Sequence, residues 1–194
     1  VVLEDGSVLT YDHLVLATGA RNRELPVPGV ELAGVFGMKT RADADAISER
    51  VREAENVVVI GAGFIGLEFA GVAAALGARV HVLELGDRPM ARALSHTTSQ
   101  RFREAHEGWG VTFDFEQGLQ RIEGEDGQVR RVITSDGRVL EADLVVYGIG
   151  VIPNTSLAEA AGLAIENGIR VDENLQTDDP NISGIRVGQN APGV

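Results

Sequence analysis

A chain of 194 residues with 44% hydrophobic and 24% charged residues has the composition of a globular protein able to bury a core. Its formal net charge of −12 disfavours a nucleic-acid backbone or an anionic membrane as partner. The absence of cysteine excludes disulfides, thiolate metal sites and a redox-active cysteine pair within these residues. No apolar run approaches the roughly 18 residues of a membrane helix, so no membrane partner and a cytoplasmic location are expected.

The chain opens on VLEDGSVLTYDHLVLATG (Val2 to Gly19): a strand, an Asp-Gly turn, a second strand, then an apolar strand running into glycine. Asp-Gly between alternating strands signals a hairpin, because that turn wants positive φ. The same order returns in ITSDGRVLEADLVVYGIG (Ile133 to Gly150). Aligning Asp5-Gly6 with Asp136-Gly137 gives an offset of 136 − 5 = 131, which also pairs Leu9 with Leu140, Val15 with Val146 and Gly19 with Gly150. Two unrelated hairpins would share only the turn. Spacing that holds through the third strand favours duplication of a domain type.

Between the copies lies the chemistry. Asn56 to Ile60 (NVVVI) is a short β-branched run suited to a buried parallel strand. It leads into Gly61-Ala62-Gly63-Phe64-Ile65-Gly66, a G-x-G-x-x-G, then into a helix-like stretch ending at Gly77. Arg79 to Leu83 (RVHVL) is the next strand, and Glu84 stands at its end, 84 − 61 = 23 residues after Gly61. In this context Gly61 permits the tight strand-to-helix turn, Gly63 lets backbone approach a pyrophosphate, and Gly66 lets helix lie close on strand. The helix N-terminus offers free N–H groups to a diphosphate. Glu84 is placed to accept hydrogen bonds from the adenosine ribose, and its charge favours NAD over NADP.

Two neighbours carry open alternatives. Arg88 reads equally as a solvated loop arginine or as a cofactor contact. Glu68, placed on the first turn of the phosphate-binding helix, reads by itself as an acid offsetting the helix dipole. His13, His81, His96 and His106 lack partners at metal-ligand spacing, so no metal site is expected, and strand-borne His81 reads as a packed or exposed side chain. Glu123-Gly124-Glu125-Asp126 reads as a solvated turn before a strand, and Trp109 as packing at a helix-to-strand connection.

The glycine loop precedes the second Asp-Gly hairpin by 136 − 61 = 75 residues. The same spacing would put the first copy's glycine loop before residue 1, so the expectation is a chain truncated at the front.

Three stretches, LVLATGARNRELPVPG (Leu14 to Gly29), VVVIGAGFIGLEFA and GIGVIPNTSLAEAAGL (Gly148 to Leu163), resemble the FAD-dependent pyridine nucleotide-disulfide oxidoreductase superfamily. Within it, IGLE followed by VLELGDRPMAR, and NGIRVDENLQTDDPNIS, are most similar to the NADH-dependent ferredoxin reductases. The resemblance covers the chain to about Ser183. It implies an α/β fold with a Rossmann-like parallel sheet flanked by helices, to which the sequence adds an antiparallel hairpin layer at Gln128 to Glu141. It also implies an NAD(H)-binding domain, residues 33–150, inserted between FAD-domain segments at 1–32 and 151–194. Thr18-Gly19 and Gly148-Ile149-Gly150 would lie near the domain crossings and contribute to cofactor binding. The segment from Gly150 to Asn154 would line the nicotinamide side, with Phe64, Ile65 and Glu68 close to the cofactor.

The resemblance further implies hydride transfer from NADH to FAD and electrons onward to a ferredoxin-type iron–sulfur protein. No side chain here is needed as acid or base, so no catalytic residue is assigned. In one respect the sequence departs from the family. The Gly-Asp pair that contacts the flavin would match Arg186-Val187, or Gly188-Gln189 with a two-residue slip, and neither offers the acid. FAD binding by this chain is therefore doubted, while NAD(H) is expected. Rival readings are a sibling flavoenzyme (NADH oxidase, CoA-disulfide reductase or nitrite reductase subunit) and a stand-alone NAD-binding module without catalysis.

Overall fold

The computed structural model describes residues 1–185. Early elements are strands β1 (Leu14–Leu16), β2 (Ala20–Asn22) and β3 (Val35–Gly37), then helix α1 (Arg41–Val51). Next come β4 (Asn56–Ile60), α2 (Phe64–Ala75), β5 (Arg79–Leu83), α3 (His96–Gly108) and β6 (Thr112–Asp114). They are followed by β7 (Leu119–Glu125), β8 (Gln128–Thr134), β9 (Val139–Glu141) and β10 (Leu144–Tyr147). Last are β11 (Val151–Pro153), α4 (Ser156–Ala160), β12 (Ile165–Glu166), β13 (Gly168–Ile169) and β14 (Ile182–Gly184).

These elements form two units. One is Asn22–Gly150; the other joins Val1–Arg21 to the described residues from Val151 onward. The rear border falls between Gly150 and Val151, but the front one falls at Arg21/Asn22 and not after Leu32. The physical reason is apolar contact. Leu25 is buried with Val58, Ile122 and Val129, and Val27, Val30 and Leu32 pack against the same cluster. These residues belong to the core of the Asn22–Gly150 unit.

That unit is built on a five-stranded sheet in the order β3-β10-β4-β5-β6. Every pairing in it is parallel, as the apolar run NVVVI predicts for β4. Because successive side chains alternate faces, β4 feeds two cores. Val57 and Val59 join Ile47, Val51, Leu67, Phe69 and Ala73 on the helix side. Val58 and Ile60 join Ile122, Val129 and Val132 on the other, where β7, β8 and β9 form an antiparallel sheet. The layers are thus helices, parallel sheet and antiparallel sheet.

The antiparallel layer is larger than the expected hairpin. Glu123 to Glu125 are paired in β7, and the turn lies at Asp126-Gly127, with φ of 52° and 75°. Two consecutive positive φ values fit the two-residue turn that matches strand twist. The reading of Glu123–Asp126 as a solvated turn is corrected accordingly: the charges face outward along a strand, where Glu123 pairs with Arg121 and Arg131.

In the other unit β1 pairs in parallel with β14, and β12 with β13 antiparallel. Leu16, Ala158, Leu163, Ile169 and Ile182 form its core. The repeat is visible in three dimensions. With the offset of 131, Leu14–Leu16 falls on Val145 to Tyr147, so β1 matches β10. Gly19 and Gly150 both have positive φ, and so do the turn glycines Gly6 and Gly137. The first hairpin, however, is reduced to a single bridge, Val2 to Val8. Among the described residues no helix is long and apolar enough to cross a membrane, and no group of side chains is arranged to hold a metal.

Candidate functional site

The glycine loop joins β4 to α2, and its glycines do different work. Gly61 has φ +99°, and its N–H donates to the Leu83 carbonyl at 2.8 Å, tying the turn to the end of β5. A side chain is disfavoured there by backbone conformation alone. Gly63 is the N-cap of α2 with φ −82°. A Cβ on it would meet nothing nearer than the Gly148 carbonyl at 4.0 Å. At Gly66 a Cβ would stand 2.0 Å from the Gly61 carbonyl oxygen, so glycine there is what lets the helix press on the loop.

The start of α2 is open to an anion. Its cap makes no side-chain hydrogen bond and its first turn carries no acid. The N–H groups of a helix's first turn have no intrahelical acceptor, and the macrodipole adds partial positive charge there. At the other end Leu76 is the C-cap and Gly77 has φ +97°. Ala78 N–H bonds to Ala73 O and Gly77 N–H to Ala74 O, the double closure expected of a glycine stop.

Glu84 is built into this loop. Its Oε2 accepts the Ala62 N–H at 2.6 Å, and its Oε1 accepts the Gly86 N–H at 2.7 Å. Each carboxylate oxygen keeps a further lone pair for a ligand hydroxyl. The Ala62 carbonyl in turn accepts the Met90 N–H at 2.9 Å, so both polar groups of that peptide residue are engaged by the segment after β5. Sequence reasoning missed this role of Ala62 and Met90.

Gly148 closes the group. Its N–H donates to Ile60 O at 3.0 Å. Its carbonyl and the Ile149 side chain stand against Gly61, and the Ile65 side chain stands 3.6 Å from where a Gly148 Cβ would be. The fold therefore brings together Gly61, Gly63, Ile65, Gly66, Glu84, Gly148 and Ile149. Phe64 is exposed beside them, and Gly150 ends the unit with φ +107° and a carbonyl that accepts Arg23 N–H. Thr18 and Gly19 belong to the other unit. There the Thr18 hydroxyl donates to Asn154 O at 2.6 Å, and Gly19 O accepts the Asn154 N–H at 3.0 Å. Arg186-Val187 and Gly188-Gln189 lie outside the described residues.

Two readings change. Glu68 is the fifth residue of α2, beyond its first turn, so it does not offset the dipole, whose effect fades after that turn. Arg88 is not a solvated loop arginine. Its side chain is 23% exposed and folded onto its own segment, bonding Asp87 at 2.9 Å and Ala91 O at 3.1 Å. Its Nε is buried and unpartnered.

Elsewhere in the unit, α2 and α3 frame an apolar cavity of about 730 Å³ whose lining includes Phe64, Leu67, Glu68, Phe102, His106 and Trp109. Trp109 caps α3 as expected at a helix-to-strand connection, with its ring 4.8 Å from that of His106, yet it remains 60% exposed. At the far sheet edge His81 is packed: Nε2 meets Asp114 at 2.7 Å and Nδ1 meets Thr112 at 2.8 Å. Asp114 also pairs with Arg138 at 2.9 Å. Burial works against the charged Asp114, but the hydrogen bonds from Arg138 and His81 hold its carboxyl below the ordinary value.

The family model for pyridine nucleotide-disulphide oxidoreductases matches residues 1–185. The chain belongs to this family. Among the family's curated members, rhodocoxin reductase from Rhodococcus erythropolis is 50% identical over 185 residues, covering 95% of this chain and 43% of that protein. Among solved structures, a ferredoxin reductase from Rhodopseudomonas palustris superposes with a TM-score of 0.91 at 46% identity, covering 95% of this chain and 46% of that one. An engineered water-forming NADPH oxidase, bound to NADPH and derived from the Lactobacillus brevis NADH oxidase, has a TM-score of 0.82 at 25% identity, with 91% and 39% coverage. Its changes include glycine to alanine and, eighteen positions later, aspartate to alanine. The chain thus spans less than half the length of these two reductases.

Proposed function

We propose that this chain is the NAD(H)-binding portion of a flavin-dependent oxidoreductase that takes hydride from NADH onto FAD and passes electrons to a ferredoxin-type iron–sulfur protein. The observation that carries the reading is the braced fingerprint: an uncapped, acid-free helix start behind Gly61, Gly63 and Gly66, with the Glu84 carboxylate bonded to the loop itself. This is a cradle that a dinucleotide fits. The first-turn N–H groups of α2 would bind the diphosphate, with Gly63 leaving space for its approach. Glu84 would accept the adenosine ribose hydroxyls with its remaining lone pairs and repel a 2′-phosphate. Ile65, Gly148 and Ile149 would bound the path towards the nicotinamide, with Glu68 and Gly150 assigned nearby by family resemblance alone.

Spacing supports the NADH preference. Gly66 and Glu84 are 84 − 66 = 18 residues apart, the separation of the glycine and aspartate replaced in the NADPH-binding oxidase. Glu84 keeps the acid that the engineered enzyme has lost. When bound, NADH supplies the hydride and the flavin splits the electron pair into single steps; the protein holds and orients them. For FAD the described residues contain no second glycine fingerprint, so no flavin contact is derived. Calorimetric titration tests the reading: NADH should bind one per chain and more tightly than NADPH. No NADH binding, or a preference for NADPH, would refute it.

A further inference from the structure

Among the described residues four non-glycine residues have positive φ: Met90, Glu116, Asp126 and Leu175. Three are exposed, whereas Met90, at φ 49°, is 6% exposed and packs in the core on the helix side of the sheet. A buried, unbranched side chain in the left-handed region persists only where the surroundings over-determine it. Here they do. The Ser99 hydroxyl donates to the Pro89 carbonyl, Arg88 reaches across to Ala91 O, and the Ala93 and Leu94 N–H groups both close on Met90 O. This backbone reaches the glycine loop through one bond, Met90 N–H to Ala62 O at 2.9 Å.

Ala62 lies between Gly61 and Gly63 and is fully buried, with its N–H already held by Glu84. Its peptide groups are gripped from both sides by one segment. We propose that Met90 is a positioning residue for NADH, whose left-handed backbone fixes the glycine loop in its diphosphate-accepting shape before any ligand arrives. The inference rests on the NADH reading above and adds the device that preorganises the site. Without the bond to Ala62 O, the loop would have to be ordered by the dinucleotide, and affinity would fall by that cost.

Three variants of the full chain, read by NADH titration and thermal melting, separate positioning from mere packing. Met90→Ile keeps an apolar side chain of similar size but disfavours left-handed backbone, so NADH binding should weaken by about tenfold or more. Met90→Gly restores that backbone while deleting the side chain. It should melt below Met90→Ile yet bind NADH more tightly than it does. Ile47→Ala, in the same core but on α1, should melt lower with NADH affinity within about twofold of the parent. If affinity simply followed melting temperature across the three, or if Met90→Ile bound like the parent, the proposal would be overturned. If the parent chain itself bound no NADH, the functional reading would fall instead.

Discussion

Gly63 and Gly66 stand three residues apart, and a methyl group added to each should do different harm. Gly63 already has negative φ and open space around its missing Cβ, so Gly63→Ala should fold and melt like the parent. The methyl would instead occupy the diphosphate's place, and lost hydrogen bonds to charge are worth roughly 1.5–3 kcal/mol each, so NADH affinity should drop about tenfold to a hundredfold. Gly66→Ala meets backbone at 2.0 Å and should destabilise the fold by about 1–3 kcal/mol, as overpacking does, lowering the melting temperature. Equal melting of the two variants would show that the loop yields to the methyl at no cost. Glu84→Ala adds a third contrast. It removes the acceptor for Ala62 and Gly86 N–H as well as for the ribose, so NADH should bind about 1–3 kcal/mol more weakly, with a narrower gap to NADPH. An unchanged NADH/NADPH ratio in that variant would remove Glu84 from cofactor choice.

At the scale of elements, the Asp114 carboxylate joins three of them: β6, which carries it, His81 on β5, and Arg138 in the turn before β9. Its depressed pKa fixes the sign of its effect. The stabilisation is fully present above the ordinary aspartate value of about 3.9 and is lost as pH falls through the lower folded-state value. Asp114→Asn should therefore cost about 1–3 kcal/mol at neutral pH and flatten the acid limb of a stability–pH curve below about pH 4. A variant that loses stability in acid as steeply as the parent would place the effect elsewhere.

Legibility from sequence differs among elements for reasons that can be named. β4 was legible because its valines and isoleucine are buried on both faces, and α2 because glycine marks both its ends. β7 was not, because Glu123 and Glu125 lie on a layer with one solvated face and look like turn residues in isolation. β3 has only three residues, Val35 to Gly37, and owes its strand form to pairing with β10, a contact 110 residues distant at Val35–Val145. In the site, glycine types and Glu84 were readable from spacing. The left-handed Met90 was not, because part of what holds it is distant in sequence: the bond to Ala62 O and Ser99's hold on Pro89.

At the scale of the whole molecule, two places in the Asn22–Gly150 unit invite a ligand, and they make different predictions. The glycine loop offers donors and an acid, while the cavity between α2 and α3 offers about 730 Å³ of largely apolar space around Trp109 and Phe102. A diphosphate carries charge that an apolar cavity cannot solvate, so size is the weaker guide. Hydrogen exchange by mass spectrometry on the full chain, with and without saturating NADH, distinguishes the two. Protection should rise at Gly61 to Gly66, Glu84 to Arg88 and Gly148 to Gly150. The first-turn amides of α2 have no intrahelical acceptor and gain one from the diphosphate, while the others gain cover from the dinucleotide. The end of α3 around His106 and Trp109 should exchange as before, as should the Asp5-Gly6 turn. Protection centred on α3, with the glycine loop unchanged, would put the ligand in the apolar cavity and leave the fingerprint as a helix entry alone.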